Sequence, residues 1–144
     1  MAEDEPSLLE RLGIDIGYQT THTRTITEAD IVKFAEVSGD YNPVHLDEEF
    51  ARKTMFGGKI AHGVIAISLI SAAVARLPGL VILVSHSSRF LRPVKIGDTI
   101  TATAEVVDTR RDQGTVRLKT TCANQDGKRV VEGETEVRIY AAPD

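Results

Sequence analysis

With Cys122 as its one cysteine, the chain cannot form an intrachain disulfide, so nothing in it calls for an oxidising compartment. Cys122 lies in a β-like segment with no basic neighbour to lower its pKa, which reads as a small buried filler. Positive charge is also scarce. Lys and Arg number 17 against 21 acidic residues, for a net charge of −4. The basic pairs Arg52-Lys53, Arg110-Arg111 and Lys128-Arg129 are scattered along the chain, so no nucleic-acid partner is expected.

Long apolar runs are missing too. The longest uncharged apolar stretch, Gly63 to Ala75, falls well short of the ~20 residues that a membrane-spanning helix requires. The acidic opening Met1 to Pro6 has no basic segment ahead of an apolar one, so a cytoplasmic protein without a secretory signal is expected. No Gly-rich phosphate loop follows a strand and no G-x-S-x-G elbow occurs. No His/Cys/Asp/Glu group has recognisable zinc spacing, so no zinc site is expected.

What is present is ordinary for one globular domain: 42% hydrophobic and 26% charged residues over 144 positions. Residues 1–17 read as a loosely ordered leader, with Leu8, Leu9 and Leu12 forming one short amphipathic turn, ahead of a single domain over 18–144. The Thr-rich stretch Thr20 to Thr27 suits an edge strand. Thr27 then caps a helix whose first turn carries Glu28 and Asp30, whose apolar stripe is Ile31, Phe34, Ala35 and Val37, and which Gly39 ends.

After an Asn- and Pro-containing turn, Asp47 to Lys53 suggests a second, short helix. Val64 to Ala75 is apolar on nearly every face, interrupted only by Ser68 and Ser71, so the central helix it predicts, Gly63 to Leu77, must be enclosed by other elements. Beyond it the pattern has period two. Ile100, Ala102, Ala104 and Val106 alternate with polar neighbours, as do Val116, Leu118, Thr120 and Cys122, and then Val131, Gly133, Thr135, Val137 and Ile139. Asp126-Gly127 is a strong hairpin signal. An apolar helix followed by antiparallel strands with one covered face predicts an α+β domain, its sheet wrapped around the central helix.

The densest group of reactive side chains is Ser38-Gly-Asp-Tyr-Asn-Pro-Val-His-Leu-Asp47. Pro43 biases Asn42 toward extended geometry, so the chain can fold back and bring Asp40 and His45 to one point. A carboxylate beside an imidazole can hold a water and exchange protons with it near neutral pH. On spacing alone the alternative stands that Asp40 caps a turn and His45 the next helix. Asn42 more naturally ties the turn to its own backbone. Ile60-Ala-His-Gly63 leads into the apolar helix, where a glycine N–H at the positive end of the dipole suits a developing enolate oxygen. His62 reads as a packed histidine rather than a second catalytic one. Ser71 either donates to the site or bonds its own helix.

Gly39-Asp-Tyr-Asn-Pro-Val-His45 followed by Ile60-Ala-His-Gly63 resembles the signature of the MaoC-like, (R)-specific enoyl-CoA hydratases of the hot-dog fold. Phe90-Leu-Arg-Pro-Val94 with Gly97-Asp98 resembles that family's strand and turn after the central helix. The resemblance runs from about Thr27 to Tyr140. It implies that Asp40 and His45 activate water, that the Gly63 N–H polarises a thioester carbonyl, and that Ser71 matches a site serine. It also implies an (R)-3-hydroxyacyl product, no cofactor beyond the coenzyme A of the substrate, and a homodimer joined at sheet edges. Within the same fold, a dehydratase of acyl-carrier-protein thioesters remains the alternative, with Arg89, Arg92 and Lys95 able to receive either an acidic carrier or coenzyme A phosphates. A thioesterase or a silent acyl-binding subunit fits less well.

Overall fold

A computed structural model describes residues 5–144. In chain order the elements are α1 (Leu8–Leu12), β1 (Gln19–Thr25), α2 (Glu28–Ser38), α3 (Pro43–Leu46), α4 (Glu48–Arg52), α5 (Gly63–Val74), β2 (Leu80–Phe90), β3 (Thr99–Arg110), β4 (Thr115–Ala123) and β5 (Arg129–Tyr140). The five strands form one antiparallel sheet in the order β1-β3-β4-β5-β2. Helix α5 packs mainly on β3 and β1, which gives the expected α+β arrangement of a sheet around a central helix.

The alternation read from the sequence is the alternation of burial. Ile100, Ala102, Ala104 and Val106 of β3, and Val116, Leu118, Thr120 and Cys122 of β4, all face inward. They meet Ile65, Ala66, Leu69, Ile70, Ala73 and Val74 of α5, each of which is buried. Full burial of each large aliphatic side chain contributes roughly 1.5–3 kcal/mol, so this layer dominates the stability of the domain. Cys122 is indeed a filler: it is buried, its Sγ lies 3.3 Å from the Ala66 carbonyl, and burial pushes its pKa up to about 12.

Three features differ from the sequence expectation. Helix α5 ends at Val74 rather than Leu77, and it is not enclosed on every side, because Val64 and Ser71 stay exposed. Residues 5–17 are not loosely attached. Ser7 and Glu10 form a capping box on α1, Leu9 is 0% and Ile14 3% exposed, and the Gly17 N–H donates to Val106 O at 2.9 Å. Three leucines in five residues are enough to anchor a helix of that length once a core is beside it. Finally, the segment after Asp40 holds a one-turn helix, α3, where a non-helical turn was expected. Pro43 opens it at the first helical position, where its missing N–H costs nothing.

The sheet also has an unfinished side. Strand β2 is an edge, and Leu80, Ile82, Leu83, Val84 and Phe90 along it are all exposed, Val84 by 57%.

Candidate active site

Helix α2 delivers the chain to the site. Its capping box joins Thr27 and Asp30, and Arg24 binds Asp30 through Nη2 at 2.6 Å. The Arg24 guanidinium, hydrogen-bonded to that carboxylate, holds Asp30 at about 2, well below the usual carboxylate range. At the other end Gly39 takes a left-handed conformation, φ 79°, and turns the backbone out of the helix. The next residue is Asp40.

Short-range bonds then shape the turn. The Asp40 N–H donates to Ser38 Oγ at 3.1 Å and the Asn42 N–H to Asp40 Oδ1 at 3.1 Å. Asn42 caps α3 by accepting from the Val44 N–H at 3.4 Å. Asp40 is thus bent back by its own neighbours, and α3 turns His45 inward until it is 8% exposed.

His45 Nδ1 lies 2.8 Å from Ile60 O. A carbonyl can only accept, so Nδ1 carries the hydrogen and Nε2 is left to exchange protons. Ile60 is itself held by the bridge to Lys95, and the Ala61 N–H donates to Val94 O at 2.7 Å. The strand-like segment before α5 therefore positions both His45 and the start of the helix.

His62 stands at the same point. It is 1% exposed, its Nε2 lies 3.0 Å from the Asp40 carbonyl, and its ring stacks on His45 with centroids 4.0 Å apart, inclined by 32°. Phe34 covers its other side at 4.8 Å. One potential ligand atom from each of Asp40, His45 and His62 falls within 4.8 Å of the others, in the one compact His/Asp group of this kind among the described residues. With His45 Nδ1 and His62 Nε2 engaged by carbonyls, two ring nitrogens and a carboxylate remain, fewer than the four protein ligands of a structural zinc site. His62 Nδ1 has no hydrogen-bond partner, alone among buried side-chain nitrogens and oxygens of the described residues. A buried unpaired acceptor costs about 1–3 kcal/mol, so its retention asks for a reason.

Gly63 opens α5 directly after His62, and no side chain caps this helix end. The first N–H groups therefore remain available to an incoming oxygen. A Cβ at Gly63 would meet the Phe90 ring at 2.9 Å, so only glycine lets ring and helix start lie this close. His45, Gly63, Phe56, Phe90, Arg92 and Val94 help to line a cavity of about 270 Å³. A larger groove of about 610 Å³ runs along β2, β4 and β5 past Arg89, Arg117, Lys119 and Glu134. It contains no imidazole–carboxylate pair and no helix start, so its size alone does not make it a reaction site.

The residues expected from the sequence thus fall into two groups. Asp40 and His45 meet, Gly63 lines the cavity with His45, and Asn42 caps α3 between Asp40 and His45, so these four are connected. Ser71 is not. It is exposed two turns along α5, about 12 Å from Gly63 by helical rise, and does not line the cavity. Of the three basic candidates, Arg92 lines the cavity and Arg89 the larger groove, while Lys95 is exposed in the turn before β3. The contacts of His62 were missed, although its place directly before the helix-opening glycine was a usable signal.

Residues 13–137 match the family model described as MaoC like domain. An (R)-specific enoyl-CoA hydratase of Rhodospirillum rubrum is 42% identical over 127 residues, covering 87% of this chain and 88% of that protein. Among solved structures, the unliganded R-hydratase PhaJ1 of Pseudomonas aeruginosa is 42% identical at TM-score 0.82, covering 88% of this chain and 83% of its own. The (R)-hydratase of Aeromonas caviae, described as involved in PHA biosynthesis, reaches TM-score 0.84 at 35% identity, covering 88% and 97%.

Proposed function

The chain belongs to the MaoC-like family of hot-dog proteins, and from that premise we propose that it is an (R)-specific enoyl-CoA hydratase. The observation that carries the reading is the meeting of Asp40 and His45 beside the uncapped start of α5 at Gly63. A pair that holds water and an N–H aimed at a carbonyl oxygen are the two parts that hydration of a conjugated thioester needs.

The acyl thioester lies in the cavity with its carbonyl oxygen at the Gly63 N–H. Water held between the Asp40 carboxylate and His45 Nε2 gives up a proton to the pair as its oxygen attacks C3 of the trans-2-enoyl group. The electrons of the C2–C3 double bond move toward the thioester, and the enolate oxygen is stabilised at the helix start. The pair returns a proton to C2, giving the (R)-3-hydroxyacyl thioester. In reverse the same steps remove water. No metal or redox cofactor takes part, so treatment with a chelator leaves the rate unchanged.

A second copy of the chain covers the open side of the fold in this reading. The exposed apolar edge β2 and the bare Val64–Ser71 side of α5 are the surfaces it would bury. No helix among the described residues is long and apolar enough to cross a membrane.

The test is incubation of the purified chain with crotonyl-CoA. Loss of enoyl absorbance without release of free thiol supports the hydratase. Thiol release would indicate a thioesterase instead, and turnover confined to carrier-protein thioesters would indicate the dehydratase of acyl-carrier-protein substrates.

A further inference from the structure

His62 is not required by the chemistry proposed above, yet it touches every part of it. Its Nε2 is 3.0 Å from the main-chain carbonyl of Asp40, an acceptor, so Nε2 carries a hydrogen and donates it. Its ring lies against the His45 ring at 4.0 Å. Its own backbone is the N-cap of α5 and is bonded covalently to Gly63. One residue therefore joins the carboxylate-bearing turn, the imidazole and the helix start, which come from three separate segments of the chain.

The unpartnered Nδ1 is the second, independent sign. A ring packed only to fill space could be phenylalanine, since the pocket is made by Phe34 and His45 rings and excludes water. A histidine there leaves one nitrogen without a bond. What the imidazole provides over a phenyl ring is the single Nε2–H donated to Asp40 O.

We propose that His62 is a positioning residue, whose Nε2–H fixes the Asp40 main chain and so keeps the Asp40 carboxylate in register with His45 and the Gly63 N–H. The inference rests on the hydratase reading of the same site. Asp40 is exposed, and its turn also reaches the segment before α5 through the Ile60 N–H to Val44 O at 3.3 Å and through His45 Nδ1 to Ile60 O. Asp40 itself, however, is bonded to Ser38 and Asn42 nearby and to His62 at long range, so the His62 bond is what ties this residue to the helix start. Displacement of a reacting group by ~1 Å can cost ~10²-fold in rate, which sets the size of the expected effect.

The test compares the purified full chain with two variants in steady-state hydration of crotonyl-CoA. His62→Phe keeps the ring and removes the donor. His62→Gln removes the ring and keeps a donor at the reach of Nε2. The proposal expects the Phe variant to lose ~10²-fold in kcat with KM little changed and the native melting transition kept, and the Gln variant to recover much of that loss. Should the Phe variant not fold, His62→Asn, whose amide stops short of Asp40 O, takes its place against Gln.

Near-wild-type kcat in the variant lacking the donor overturns the proposal, as does equal impairment of both folded variants. An inactive wild-type chain would instead count against the hydratase reading itself, so the two failures are distinguishable.

Discussion

His45 and His86 each line a cavity of similar size, about 270 and 260 Å³, and each has a ring nitrogen tied to a neighbour. His86 sits between Thr135 Oγ1 at 2.7 Å and Ser88 Oγ at 2.6 Å, so hydroxyls engage both of its nitrogens, and partial burial pulls its pKa below the usual value. His45 gives only Nδ1 to a carbonyl and keeps Nε2 free, in a residue grouped with Asp40 and lining a cavity with the helix-opening Gly63. The difference lies in valence rather than volume. A histidine whose nitrogens are both occupied has none left for chemistry, whereas one that keeps a nitrogen free can move a proton.

The sharpest way to break that comparison is to remove each imidazole in turn. His45→Gln should lower kcat for crotonyl-CoA by ~10²–10⁴-fold while leaving the melting temperature nearly unchanged. His86→Gln should leave kcat as it is, and an equal loss from both would erase the distinction.

The helix start carries the next largest effect. In Gly63→Ala the new methyl meets the Phe90 ring, and the ring or the first turn of α5 must shift. A loss of roughly 10²-fold in kcat is expected, the scale of one misplaced or missing oxyanion donor. Activity unchanged in this variant would remove Gly63 from the account.

The smallest effect belongs to the frame. Asp30→Asn weakens the cap of α2 and the Arg24 pair, and should cost about 1 kcal/mol of stability in thermal unfolding with kcat kept. Because the folded-state value of Asp30, about 2, lies below the ordinary ~3.9, its contribution is present above pH ~4. It is lost as the pH falls toward 2. The wild-type advantage over the Asn variant should shrink over that interval.

Much of this arrangement was legible in the residues. Period-two alternation placed the inward faces of β3, β4 and β5, because each position has one covered side. Gly39 and Gly63 marked the two helix ends that bracket the site. The docking of α1 was not legible, since three leucines near an acidic terminus look the same whether or not a core lies beside them. Pro43 was read as turning Asn42 toward extended geometry, and at the first helical position it also starts a helix. Ser71 was named through the family resemblance, and in the single chain it stands exposed on α5, because its direction is set by which face the sheet covers.

The most direct check on the central claim is a paired assay of wild type and Asp40→Asn on crotonyl-CoA, with chiral analysis of the 3-hydroxy product. The account predicts the (R) product from wild type and a rate ~10²–10⁴-fold lower in the variant, at unchanged thermal stability. A variant that hydrates at the wild-type rate, or an (S) product from the wild type, would contradict it.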